Sequence, residues 1–177
     1  MSGRVLGLTG ADGSVSGAER STQVDQSDAP NVGGPLRSPW CTKHSRSMGE
    51  FEVVCAAGSL RPEPAAGIVH LDHRWTADGV DLSVTFTGAH LLNAAVAACV
   101  LNDLYREATG LGITLDGARV RADGSFSDAW SSNGIQYTVE VDSTAEPAAI
   151  EELVHIVDQV AEIPRALRHG VVVSHER

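Results

Sequence analysis

The sequence predicts an α+β fold in which antiparallel sheets pack around one long buried helix. Three observations carry this. Alternating apolar segments occur in hairpin-like pairs, a proline-free Ala- and Leu-rich stretch runs over residues 88–109, and no regular strand–helix–strand alternation is present. The predicted order is three strands, a long helix, two strands, two helices and a last strand.

Residues 1–47 are rich in Gly, Ser, Asp and Pro and show no sustained apolar period. They are expected to be a disordered arm that cannot offset its ordering entropy, or the product of a start placed too far upstream, with Met48 the true one. Lys43, the only lysine, lies in this arm, in keeping with a different compositional origin. Residues 48–177 are expected to form the domain.

In that domain Phe51-Glu52-Val53-Val54-Cys55 reads as a strand. Ile68, His70, Asp72 and Arg74 alternate with Val69, Leu71, His73 and Trp75, the period of two of a half-buried strand. Thr76-Ala77-Asp78-Gly79 is a turn, with Gly79 placed for positive φ, and Leu82, Val84 and Phe86 complete a hairpin. In the long helix, Ala94-Ala95-Val96-Ala97-Ala98 is apolar nearly all round, which marks burial on most sides. Gly110 and Gly112 are placed to end it.

A second strand pair follows, with Ala118, Val120 and Ala122 on one strand and Ile135, Tyr137, Val139 and Val141 on the other, joined by a polar loop over 127–134. Ser143 or Thr144 is expected to cap a helix whose stripe is Ile150, Leu153, Val154, Val157 and Val160. Pro164 should break it, a short helical turn should run to Arg168, and Gly170 should release a last strand over 171–174.

Charge narrows the function classes. The net charge is −10; the first 47 residues carry +1, so the remainder carries −11, with arginine its only basic type beside histidine. Such a surface repels phosphate backbones and anionic lipid, so neither nucleic acid nor a membrane is an expected partner. No apolar run reaches the length of a membrane span, and no secretory signal opens the chain. Three widely spaced cysteines make neither a disulfide framework nor a metal knuckle, so a reducing cytoplasm is the expected compartment.

Cys99 is the focus for chemistry. A cysteine in an Ala-rich helix commonly serves as a small core hydrophobe, and that bland reading stands first. Its helical neighbours raise the interest. Asn102, Asp103 and Arg106 share its face; a guanidinium there would favour the thiolate and Asp103 would oppose it. Cys55 reads as core and Cys41 as incidental. His70 and His73 point to opposite sides of their strand, so they make no metal pair. His90 lies more than two turns from Cys99 and reaches it only from a second subunit. No zinc-protease, Walker or nucleophile-elbow motif occurs, and no metal or resident cofactor is expected.

These features resemble the OsmC/Ohr family over about residues 51–173. The element order agrees. His90-Leu91-Leu92 with Ala94 to Cys99 resembles the family's central Cys-bearing helix, the 127–141 segment resembles the following hairpin, and Ala161-Glu162-Ile163-Pro164-Arg165-Ala166-Leu167-Arg168-His169-Gly170 resembles the closing segment. The resemblance implies an intertwined homodimer with its sites at the interface. In catalytic members it implies reduction of organic hydroperoxides by a peroxidatic thiol, matched here by Cys99. The chain departs from the pattern at two places. The second cysteine's position falls at about Ala161, and the acidic residue near the helix start falls around Ala89 or His90.

The expectation is therefore a one-Cys thiol peroxidase acting on a hydrophobic hydroperoxide. Cys99 is its nucleophile, Arg61 stabilises the thiolate, His90 stands in for the missing acid, and an external thiol serves as reductant. The alternatives are a non-catalytic relative that binds a small apolar ligand at the dimer interface, and a purely structural dimer module.

Overall fold

The computed structural model describes residues 4–9, 50–129 and 131–175. Its strands are β1 (Arg4–Thr9), β2 (Val53–Gly58), β3 (Ile68–Leu71), β4 (Val80–Ser83), β5 (Gly117–Phe126) and β6 (Ser132–Ser143). All six join a single sheet in the order β1-β6-β5-β2-β4-β3, with every neighbouring pair antiparallel. Its helices are α1 (Gly88–Leu111), α2 (Pro147–Val160) and α3 (Glu162–His169). Among the described residues no helix is long and apolar enough to cross a membrane.

Register places small and branched side chains under α1. Cys55 lies between Leu82 and Val120, and Val120 faces Val139. These residues pack against Val96, Ala97, Val100 and Leu104 of α1, with Ile150, Leu153 and Val157 of α2 closing the core. The opposite side of the central strands carries ion pairs, Arg119 with Glu140 at 3.2 Å and Arg121 with Glu52.

Helix α1 begins where the Thr87 hydroxyl accepts from the His90 backbone N–H at 3.3 Å. It ends at Gly112, whose φ of 68° lets the chain turn back so that Ile113 N–H reaches the Ala108 carbonyl at 2.9 Å. The helix is buried toward the sheet and toward α2. A stripe of Leu91, Ala95 and Ala98, spaced four and three residues apart, stays exposed in the single chain.

Several boundaries differ from the sequence reading. Arg4–Thr9 of the arm forms an edge strand, from Arg4 opposite Ser143 to Thr9 opposite Thr138. That pairing is set by a distant partner, and no local period encodes it. Residues 10–47, with Trp40 and Cys41, lie outside the described residues. Ser143 caps a turn rather than α2, donating to the Thr114 carbonyl at 2.7 Å and accepting from Ala145 N–H at 3.1 Å. Helix α2 starts later, with Pro147 in its first turn. The break after α2 falls at Ala161, and Pro164 sits in the first turn of α3, where its missing N–H costs nothing. Residues 171–174 are not a strand; Val172 and Val173 are exposed and have no ladder partner among the described residues. A β-branched run becomes a strand only when another strand satisfies its backbone.

Candidate functional site

Cys99 lies half-buried on α1, against the start of α3. Its Sγ is 3.9 Å from Asp103 Oδ2, one turn along the helix, and 3.7 Å from Glu162 Oε2 at the first residue of α3. Asp103 has no exposed surface. Its Oδ1 accepts from Asn102 Nδ2 at 3.0 Å and from an Arg106 guanidinium nitrogen at 2.8 Å. Arg106 also reaches Glu162 at 3.5 Å and Glu107 at 2.9 Å. One guanidinium is therefore shared among three carboxylates, and the field at the sulfur is on balance negative.

Burial pushes the Cys99 thiol above its ordinary value. The Ile163 backbone N–H, at the start of α3, pulls it down, whereas the Asp103 and Glu162 carboxylates push it up again. Asp103 is likewise raised, chiefly by burial, with Asn102 and Arg106 opposing. Glu162 moves the other way, held below the usual carboxyl range first by its own backbone N–H at the helix start and further by Arg106. The result is a protonated thiol beside an ionised, exposed carboxylate, which keeps the proton on sulfur at rest.

Cys99 Sγ, Asp103 and Glu162 offer three ligand atoms within 4.8 Å of one another. Arg106 already supplies their counter-charge, so the cluster is organised around a guanidinium.

Arg61 is placed elsewhere. Its Nε donates to Asp81 Oδ2 at 2.9 Å and its terminal nitrogen to the Asp78 carbonyl at 2.9 Å, so within one chain it anchors the β3–β4 turn. Asp81 also pairs with His70 Nδ1 at 2.7 Å, and that bond, then Arg61, holds its carboxyl below the usual range. His90 bonds the Thr87 hydroxyl at 2.7 Å and meets the Phe51 ring edge-on. Among the described residues neither Arg61 nor His90 bonds the Cys99 thiol. Cys55 is 1% exposed, and burial pushes its thiol up to about 12, which makes it inert core.

The residue that sequence reasoning missed is Glu162. Helical spacing found Asp103 and Arg106 because they share an element with Cys99, whereas Glu162 arrives from a separate helix. The signal lay in the closing segment Ala161 to Gly170, which sets Glu162 just ahead of Pro164.

A family model described as OsmC-like protein matches residues 79–176, more than half of the chain. Among solved structures the chain is similar to an OsmC-like hydroperoxide resistance protein from Jannaschia sp. CCS1. That similarity stands at 14% identity and a TM-score of 0.40, covering 71% of this chain and 92% of that one. No curated protein matches by sequence. The family match runs from Gly79 through α1, the β5–β6 hairpin, α2 and α3, and so takes in both elements that meet at the thiol; the chain belongs to the OsmC-like family.

Proposed function

We propose that the protein is a one-Cys thiol peroxidase that reduces organic hydroperoxides at Cys99. The observation that carries this reading is the Cys99–Glu162 contact at 3.7 Å, which gives the thiol a proton acceptor on a neighbouring element. In the proposed step the thiol proton passes to Glu162 only as the sulfur attacks the distal peroxide oxygen, because a carboxylate held below its usual range does not deprotonate a raised thiol beforehand. The O–O bond breaks, Cys99 becomes a sulfenic acid, and the departing alkoxide takes the proton back from Glu162 and leaves as the alcohol. An external thiol then reduces the sulfenic acid, because no cysteine follows Cys99 in the chain.

Glu162 thus takes the part first given to His90. Arg61 and His90 act on Cys99 only across a homodimer interface. The exposed stripe of Leu91, Ala95 and Ala98 beside Cys99 favours such an interface, with an apolar approach for a hydrophobic hydroperoxide. A reducing cytoplasm supplies the reductant.

The test is peroxide turnover with cumene hydroperoxide and an excess of dithiol. Cys99→Ser should abolish it and Cys55→Ser should leave it intact; equal activity in all three proteins would refute the reading. A second reading, a non-catalytic relative that binds a small apolar ligand, is favoured by the raised thiol pKa and by the absence of a cysteine near Ala161. It predicts slow modification of Cys99 at neutral pH.

A further inference from the structure

A cavity of about 350 Å³ opens between the β3–β4 turn, the C-terminal half of α1 and the loop into β5. Its walls include Trp75, Asp78, Tyr105, Ala108, Ile113 and Asp116. Tyr105 lies six residues beyond Cys99, about 240° around the helix, so this cavity faces away from the thiol.

Tyr105 is 8% exposed, yet its hydroxyl has no hydrogen-bond partner among the described residues. Native proteins rarely leave a buried hydroxyl in that state. Burial pushes its pKa up to about 12 and Asp116 adds to this; the neighbouring Ala118 backbone opposes the shift without meeting hydrogen-bond geometry. The group is therefore a neutral donor. Two other hydroxyls of the wall are already engaged. The Thr109 hydroxyl donates to the Tyr105 carbonyl at 2.8 Å, and that of Thr76 to the Gly79 carbonyl at 3.0 Å.

Charge and shape define what fits. Among the described residues the lining holds two carboxylates, Asp78 and Asp116, and neither lysine nor arginine. Arg61, which reaches the Asp78 carbonyl, is neutralised by Asp81. An anion is disfavoured there. Trp75, Ala108 and Ile113 supply an apolar wall suited to a flat ring, and the volume lies at the small end of ligand pockets.

We propose that this cavity binds a small hydroxyaromatic molecule bearing no negative charge, its hydroxyl accepting from Tyr105 and any amine meeting Asp78 or Asp116. The site is independent of the Cys99 chemistry.

The test is a titration of full-length ¹⁵N-labelled protein with tyramine, p-cresol and 4-hydroxybenzoate, followed by amide shifts. Saturable shifts should map to residues 75–78, 108 and 116, with tyramine tighter than p-cresol and 4-hydroxybenzoate silent over the same range. Tyr105→Phe should weaken tyramine about tenfold, the worth of one hydrogen bond. The proposal is overturned by shifts that never saturate or that map elsewhere, by equal binding of 4-hydroxybenzoate, or by unchanged affinity in Tyr105→Phe. The charge series is read on the unmodified protein, so it decides the matter even if the variant does not fold.

Discussion

Glu162 Oε2 stands 3.7 Å from Cys99 Sγ, and the same carboxylate is held by Arg106, which also pairs with the fully buried Asp103. The thiol is thereby coupled to two carboxylates and one guanidinium contributed by two helices. Whatever Cys99 does, burial keeps its thiol protonated first and that cluster adjusts the balance.

Replacing Glu162 should split two reactivities. Glu162→Gln removes a negative charge that raises the thiol pKa, so alkylation of Cys99 by iodoacetamide at pH 7 should speed up a few-fold. The same variant lacks the group proposed to return a proton to the leaving alkoxide, so peroxide consumption should slow. Both rates rising together would remove Glu162 from the mechanism.

Arg106→Ala should cost stability more than an exposed arginine normally does. It strips the guanidinium from Asp103, which has no exposed surface and keeps the Asn102 amide and the weak Cys99 thiol contact. Losing a charged hydrogen bond to a buried acid is worth about 2 kcal/mol, and for a chain of this size that lowers Tm by roughly 4–8 °C. Asp103→Asn in the same background should recover most of the loss, measured by thermal melts of all three proteins. A double variant as unstable as Arg106→Ala would show that the arginine acts elsewhere.

Acid stability should depend on Asp81. Its folded pKa lies below the unfolded value near 4, so its contribution is fully present above that value and is lost as pH falls through the depressed one. Asp81→Asn should therefore cost roughly 1–3 kcal/mol at pH 6, and this difference should close as pH falls through the depressed folded value, as read from urea midpoints. Asp103 has the opposite sign, since its raised pKa makes ionisation unfavourable to the fold as pH rises. A pH-independent cost of Asp81→Asn would contradict the ion-pair account.

Ala161→Cys tests the geometry of the thiol site. Ala161 is fully buried, immediately precedes Glu162 and caps α3. After one equivalent of hydroperoxide the variant should form an internal disulfide with Cys99, seen as the loss of two hydrogens by intact mass and a mixed peptide on mapping. A sulfenic acid that persists in the variant would place residue 161 out of reach.

The sequence read most clearly where a local period matched a local element. Gly88–Leu111 was announced by its Ala-rich, proline-free run, the Thr76–Gly79 turn by its glycine, and Ile150, Leu153 and Val157 by helical spacing. What it hid were non-local pairings. Arg4–Thr9 has too short a pattern to read as a strand until β6 lies beside it. Residues 171–174 are rich in β-branched valine but meet no strand partner among the described residues. The site divides the same way. Cys99, Asp103 and Arg106 were legible because one helix carries all three. Arg61 was assigned by resemblance, and in the single chain the Asp81 carboxylate engages it.

The most direct test of the central claim is trapping of the oxidised thiol. Purified protein is treated with one equivalent of cumene hydroperoxide in the presence of dimedone, then analysed by intact mass and peptide mapping. Rapid formation of a single adduct at Cys99, absent in Cys99→Ser, is the predicted result. No adduct, or slow adducts spread over Cys41, Cys55 and Cys99 alike, would contradict peroxidase chemistry at this site and leave the apolar-ligand reading in its place.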